Sequence, residues 1–77
     1  MRNLLQVETG KLVKFVCFHG GESFQKKMLS LGLLPGDMAR VIRRAPMNGP
    51  VLVDIAGREF ALGRGVAAKI EVEESSP

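Results

Sequence analysis

Glycine and proline punctuate this chain so often that nearly every segment between them is too short for anything but a β-strand. Gly20-Gly21, Gly32, Pro35-Gly36, Pro46 to Pro50, Gly57 and Gly63-Arg64-Gly65 bound runs of five to seven residues rich in Val, Ile, Leu and Phe. Leu12-Val13-Lys14-Phe15-Val16-Cys17-Phe18 reads as a first, largely buried strand that ends at a glycine turn. Met38 to Arg44, Val51 to Ile55 and Arg58 to Leu62 follow as three more. Asn48-Gly49 between two prolines makes the first pair a hairpin, and Gly57 allows a tight connection into the next strand. After a short Val66-Ala67-Ala68 turn, Lys69-Ile70-Glu71-Val72-Glu73 alternates strictly and leaves one apolar face, as a half-buried final strand does. Residues 74–77 read as a frayed polar end.

One segment changes period. Phe24, Met28 and Leu31 fall at i, i+4 and i+7, with Glu22, Gln25, Lys26, Lys27 and Ser30 between them, which predicts a single short helix after the first strand. Gly32 occupies the position where a terminating helix turns left-handed, Leu33 is placed to pack back on Met28, and Pro35-Gly36 forces a turn.

A chain of 77 residues is too short for two packed sheets, so residues 1–77 are expected to form one domain. Five short strands and one helix in that length are best arranged as a small closed or nearly closed barrel of the SH3-like kind, mainly β, which leaves few open edges. The longest charge-free stretches are nine residues, far below the roughly 20 apolar residues of a membrane-spanning helix. The first eight residues lack the apolar stretch of a secretory signal. A single cysteine cannot form an internal disulfide, which fits a reducing compartment. A cytoplasmic location is the expectation.

The candidate chemistry is sparse. Cys17 and His19 are the only thiol and the only imidazole, and two residues apart in an extended strand they share a face. They are weak candidates for a zinc or iron site that Glu22 or Asp37 would complete, since structural zinc takes four ligands. Cys17 also reads as a small buried hydrophobe and His19 as a loop-edge residue. One histidine and one thiol are too few for a catalytic constellation, so no enzyme is expected. Gly63-Arg64-Gly65-Val66-Ala67-Ala68 fits a loose dinucleotide-binding pattern, but that mechanism needs a full helix where only a short segment remains.

Charge is uneven: eight basic against three acidic side chains through residue 50, three against five thereafter. Arg40, Arg43 and Arg44 beside Lys26 and Lys27 are the basic cluster that phosphates would meet. The chain nevertheless has no Trp, no Tyr and four Phe, most of which its core needs, so nucleic acid is not an expected partner.

Three blocks resemble one family. Phe24-Gln25-Lys26-Lys27-Met28-Leu29-Ser30-Leu31-Gly32-Leu33-Leu34-Pro35-Gly36 is similar to the helix and leucine-glycine-leucine-x-proline-glycine element of the FeoA family, small accessory proteins of bacterial ferrous iron transport. Arg43 to Pro50 before a strand supports it, as does Ala61-Leu62 followed, after a glycine-rich turn, by Ala68-Lys69-Ile70-Glu71-Val72. Gly49 stands where the family often has aspartate, and Gly63-Arg64-Gly65 where it often has more basic residues. The resemblance implies a non-catalytic cytoplasmic protein, peripheral to the inner membrane, that docks on the GTP-binding region of a membrane ferrous-iron permease. A metal-binding or nucleic-acid-binding accessory domain is the alternative.

Met28, Leu29, Leu31, Leu33 and Leu34 crowd more apolar side chains than one face of a short helix hides. Leu29 lies one position off the Phe24, Met28, Leu31 stripe. Leu29 and Leu33 are therefore the expected partner contacts, with Lys26 and Lys27 steering an acidic surface, and weak self-association through the same positions is a further expectation.

Overall fold

A computed structural model describes residues 2–75. Along the chain run β1 (Arg2–Asn3), a 3-10 turn (Leu4–Gln6), β2 (Leu12–Phe18), α1 (Glu22–Ser30), β3 (Met38–Arg44), β4 (Val51–Ile55), β5 (Arg58–Leu62), α2 (Arg64–Ala67) and β6 (Ile70–Glu74). The strands form one antiparallel sheet in the order β1-β6-β2-β3-β4-β5, coiled around a single apolar core. The ladder is open between β1 and β5, so the expected small barrel is nearly closed rather than closed.

Period-two alternation sends Val13 and Phe15 of β2, Ala39 and Val41 of β3, Val51 and Val53 of β4, and Ile70 and Val72 of β6 into that core. Met28 and Leu33 join them from α1 and the loop behind it, and no polar side chain is buried among the described residues. β2 carries a bulge: Phe15 faces Val72 while Cys17 faces Glu71, which leaves Val16 as the extra residue. The inserted residue reverses the alternation, so Phe18 rather than Cys17 returns to the core and Cys17 turns outward.

Four expectations change. A sixth strand and a 3-10 turn occupy the first residues, where Asn3 Oδ1 accepts the Leu5 N–H at 2.9 Å and Gln6 Oε1 accepts the Asn3 N–H at 2.8 Å. This fold-back sends Leu4 and Val7 into the core. A one-turn helix, α2, replaces the expected Val66-Ala67-Ala68 turn and buries Ala67. Glu74, read as the start of a frayed end, is the last residue of β6 and pairs with Val13, and Ser75 N–H donates to Leu12 O; residues 76 and 77 lie outside the described part. In the β3–β4 turn the left-handed residues are Met47 and Asn48, not Asn48 and Gly49. Gly49 is required for a different reason: a Cβ there would sit 2.7 Å from that of Ala45.

Candidate functional site

The β2–β6 ladder builds the one cluster of mixed donors among the described residues. Cys17 and Glu71 are cross-strand partners, and His19 is held one residue past the end of β2, where its N–H donates to Lys69 O at 2.7 Å. Gln25 of α1 fixes the same corner, its Nε2 donating to Phe18 O at 2.6 Å and to Gly20 O at 3.3 Å. The side chains meet: Cys17 Sγ lies 3.2 Å from His19 Nε2, the thiol donates to Glu71 Oε1 at 3.4 Å, and His19 Nε2 lies 2.7 Å from that oxygen.

The electrostatics follow from the contacts. The His19 hydrogen bond holds the Glu71 carboxyl below its usual range, with the Cys17 thiol and the nearby imidazole adding to it against partial desolvation. An ionised carboxylate only accepts, so the short contact places an imidazole N–H at Nε2. Burial pushes the Cys17 thiol up, and Glu71 raises it further as hydrogen-bond acceptor and as charge. A thiol held protonated is a poor nucleophile, so the trio is not arranged as an activated cysteine with its base. Thiol, imidazole and carboxylate converging on one point are, however, the donor types that borderline divalent metals take. Beside them a cleft of about 280 Å³ is lined by Arg2, Asn3, Gln6, His19, Ala68 and Glu71.

The proximity of Cys17 and His19 is as their spacing predicts, but neither expected third donor is near. Glu22 pairs with Lys26 Nζ at 3.0 Å on the helix surface, and Asp37 Oδ2 accepts the Leu34 N–H at 2.9 Å inside the Leu34–Asp37 turn. Glu71 stands in their place, and sequence reasoning missed it. Its signal was the alternation of the last strand, which puts Glu71 on the polar face, combined with the pairing of first and last long strands that a small barrel requires.

A second surface lies around the end of α1. Leu29 is 65% exposed and Leu34 49% exposed, with Leu31, Lys26 and Lys27 exposed beside them. Leu33 does not belong to it. At 1% exposure it is core, because α1 ends in a Schellman arrangement with Leu33 N–H on Met28 O at 3.0 Å and Gly32 N–H on Leu29 O at 2.9 Å. Gly32, at φ +83°, turns the next side chain inward onto Met28. The basic cluster is partly used internally as well: Arg40 donates to Gly10 O at 2.9 Å and Arg44 to Leu5 O, tying the N-terminal segment across β3.

Comparison with known proteins agrees with the fold. A putative Fe(2+) transport protein A of Methanocaldococcus jannaschii is 40% identical over 50 residues, covering 65% of this chain and 58% of that protein. A Porphyromonas gingivalis protein in which Fe(2+) transport protein A is fused to the Fe(2+) transporter FeoB is 36% identical over 70 residues, 91% of this chain and 8% of the fusion. The chain thus spans little over half of the first relative and a small part of the second. The crystal structure of an iron uptake regulatory protein, FeoA, superposes with a TM-score of 0.81 at 29% identity over 95% of both chains. A manganese-dependent transcriptional repressor in complex with manganese shares the fold, with a TM-score of 0.89 at 22% identity over 96% of this chain and 36% of the repressor. The FeoA domain model matches residues 2–74, and with that match across nearly the whole chain the protein belongs to the FeoA domain family.

Proposed function

We propose that this chain is a non-catalytic accessory protein of ferrous iron uptake that works in the cytoplasm by docking on the GTP-binding region of a membrane iron permease. The observation that carries the reading is the fused relative, in which the same domain is joined covalently to an Fe(2+) transporter. Fusion holds two partners at high effective concentration, and separate chains of the same pair must supply that association through a surface. No helix among the described residues is long and apolar enough to cross a membrane.

The surface around the end of α1 supplies the chemistry of such a contact. Leu29, Leu31 and Leu34 are exposed apolar anchors, and Lys27, whose side chain has no acidic neighbour within ion-pair distance among the described residues, provides steering charge with Lys26. The test is affinity capture of the soluble GTP-binding domain of the host's permease by the folded protein, with GDP, with a GTP analogue and without nucleotide, followed by GTP hydrolysis. Saturable binding in at least one state, weakened about tenfold or more by Leu29→Asp, is expected. Equal binding by wild type and Leu29→Asp would move the contact elsewhere, and no binding in any nucleotide state would end the docking role.

A further inference from the structure

We propose that Cys17, His19 and Glu71 form a three-ligand site for a divalent first-row transition cation, with at least one coordination position open toward the cleft beside them. The inference rests on the trio alone and stands independently of the docking role.

The donor atoms are already gathered, all within 4.8 Å of one another. A tetrahedral ion separates a thiolate sulfur from an imidazole nitrogen or carboxylate oxygen by about 3.5 Å, and nitrogen from oxygen by about 3.3 Å. The observed separations are 3.2, 3.4 and 2.7 Å, so the site reaches that geometry by opening about 0.1 to 0.6 Å, most of it between His19 and Glu71. His19 is more than half exposed at its side chain and supplies this play, while Glu71 is held on the central ladder with a side-chain exposure of 16%. The bulge at Val16 is what brings the sulfur to this surface.

On binding, the ion takes the place of the hydrogens on Cys17 Sγ and His19 Nε2, of which only the thiol's is released. The thiol proton leaves to solvent as the Cys17–metal bond forms, because a cation of this charge reverses the local preference for the neutral thiol. The imidazole proton transfers from Nε2 to Nδ1 through solvent, which frees Nε2 to ligate while Glu71, already ionised, loses only its hydrogen bonds. Three protein donors and an open position are the arrangement of an exchangeable site rather than a closed structural one. The cleft edge offers water or a partner's carboxylate access to that position. A sulfur, nitrogen and single-carboxylate set selects Fe(II), Co(II) or Zn(II) and disfavours Mg(II) and Ca(II), which require several oxygen ligands.

The test is an anaerobic titration of the reduced, full chain with Co(II), read by absorption, alongside calorimetry with Zn(II). A saturable near-ultraviolet thiolate-to-cobalt band, with the visible bands of a four-coordinate ion and no displacement by excess Mg(II), is the expected result. Cys17→Ser should abolish the sulfur band, and His19→Ala and Glu71→Gln should each weaken Zn(II) binding by about tenfold or more, a ligand loss being at least as severe as loss of a supporting partner. His19→Ala alters an exposed loop-edge side chain, so it remains informative if Glu71→Gln disturbs the ladder, and circular dichroism separates the cases. One ion per two chains with the sulfur band intact supports the trio and assigns the open position to a second copy. Absence of the band, or affinity unchanged in both Cys17→Ser and Glu71→Gln, overturns the site.

Discussion

Neighbouring leucines in this chain carry opposite duties, and the difference is decided by backbone geometry rather than by residue type. Leu33 follows the left-handed Gly32 and is driven into the core, whereas Leu29 keeps its place on the helix surface. Leu33→Ala should therefore cost about 2 to 5 kcal/mol. Leu29→Ala should stay within about 0.5 kcal/mol, both read from urea denaturation midpoints at constant slope. Gly32→Ala isolates the conformational part: its Cβ would meet open space, so the expected loss of about 1 to 2 kcal/mol comes from the left-handed backbone alone. The burial of Leu33 was readable from the helix-end pattern, and the crowding of leucines suggested exposure; the local hydrogen bonds of the helix end settle it. Cys17 and His19 were readable as a pair because proximity at i, i+2 is local. Glu71 was not readable from its own segment, because its partners lie more than fifty positions away and periodicity carries no information about which strand pairs with which; only the barrel arrangement points to it.

Among the elements, β2 to β5 coincide with the apolar runs bounded by glycine and proline, since a turn residue stops a ladder wherever it falls. What escaped were the shortest pieces. β1 and the 3-10 turn depend on the reciprocal bonds of Asn3 and Gln6, a sequence signature of helix starts hidden here in a segment with no apolar period, and α2 is a single turn that no periodicity can register. Asn3→Ala should accordingly destabilise the protein by about 1 kcal/mol and raise amide exchange at Leu5, measured by native-state hydrogen exchange. The β4–β5 hairpin offers the opposite case. Ala56 and Gly57 form its two-residue turn with φ of +54° and +84°, a conformation that alanine adopts poorly. Ala56→Asn should raise stability by about 0.5 to 1 kcal/mol, seen as a higher denaturation midpoint.

For the molecule as a whole, an ion that binds the folded chain and not the unfolded one adds to its stability by mass action. At one hundred times its dissociation constant, Zn(II) should contribute about 2.7 kcal/mol. In a domain of this size that is a rise in Tm on the order of 10 °C by calorimetry, falling to about half or less in Glu71→Gln at the same Zn(II) concentration. The pairing of β2 with β6 gives this number a further meaning. It joins the first long strand to the last, across 54 positions between Cys17 and Glu71, and closing so long a loop is the slow, entropically opposed part of forming such a sheet. Partly assembled chains, including one still emerging without its final strand, hold a thiol and an imidazole but no carboxylate beside them. The proposed site is thus complete only once β2 and β6 have paired, which ties uptake of the ion to assembly of that ladder.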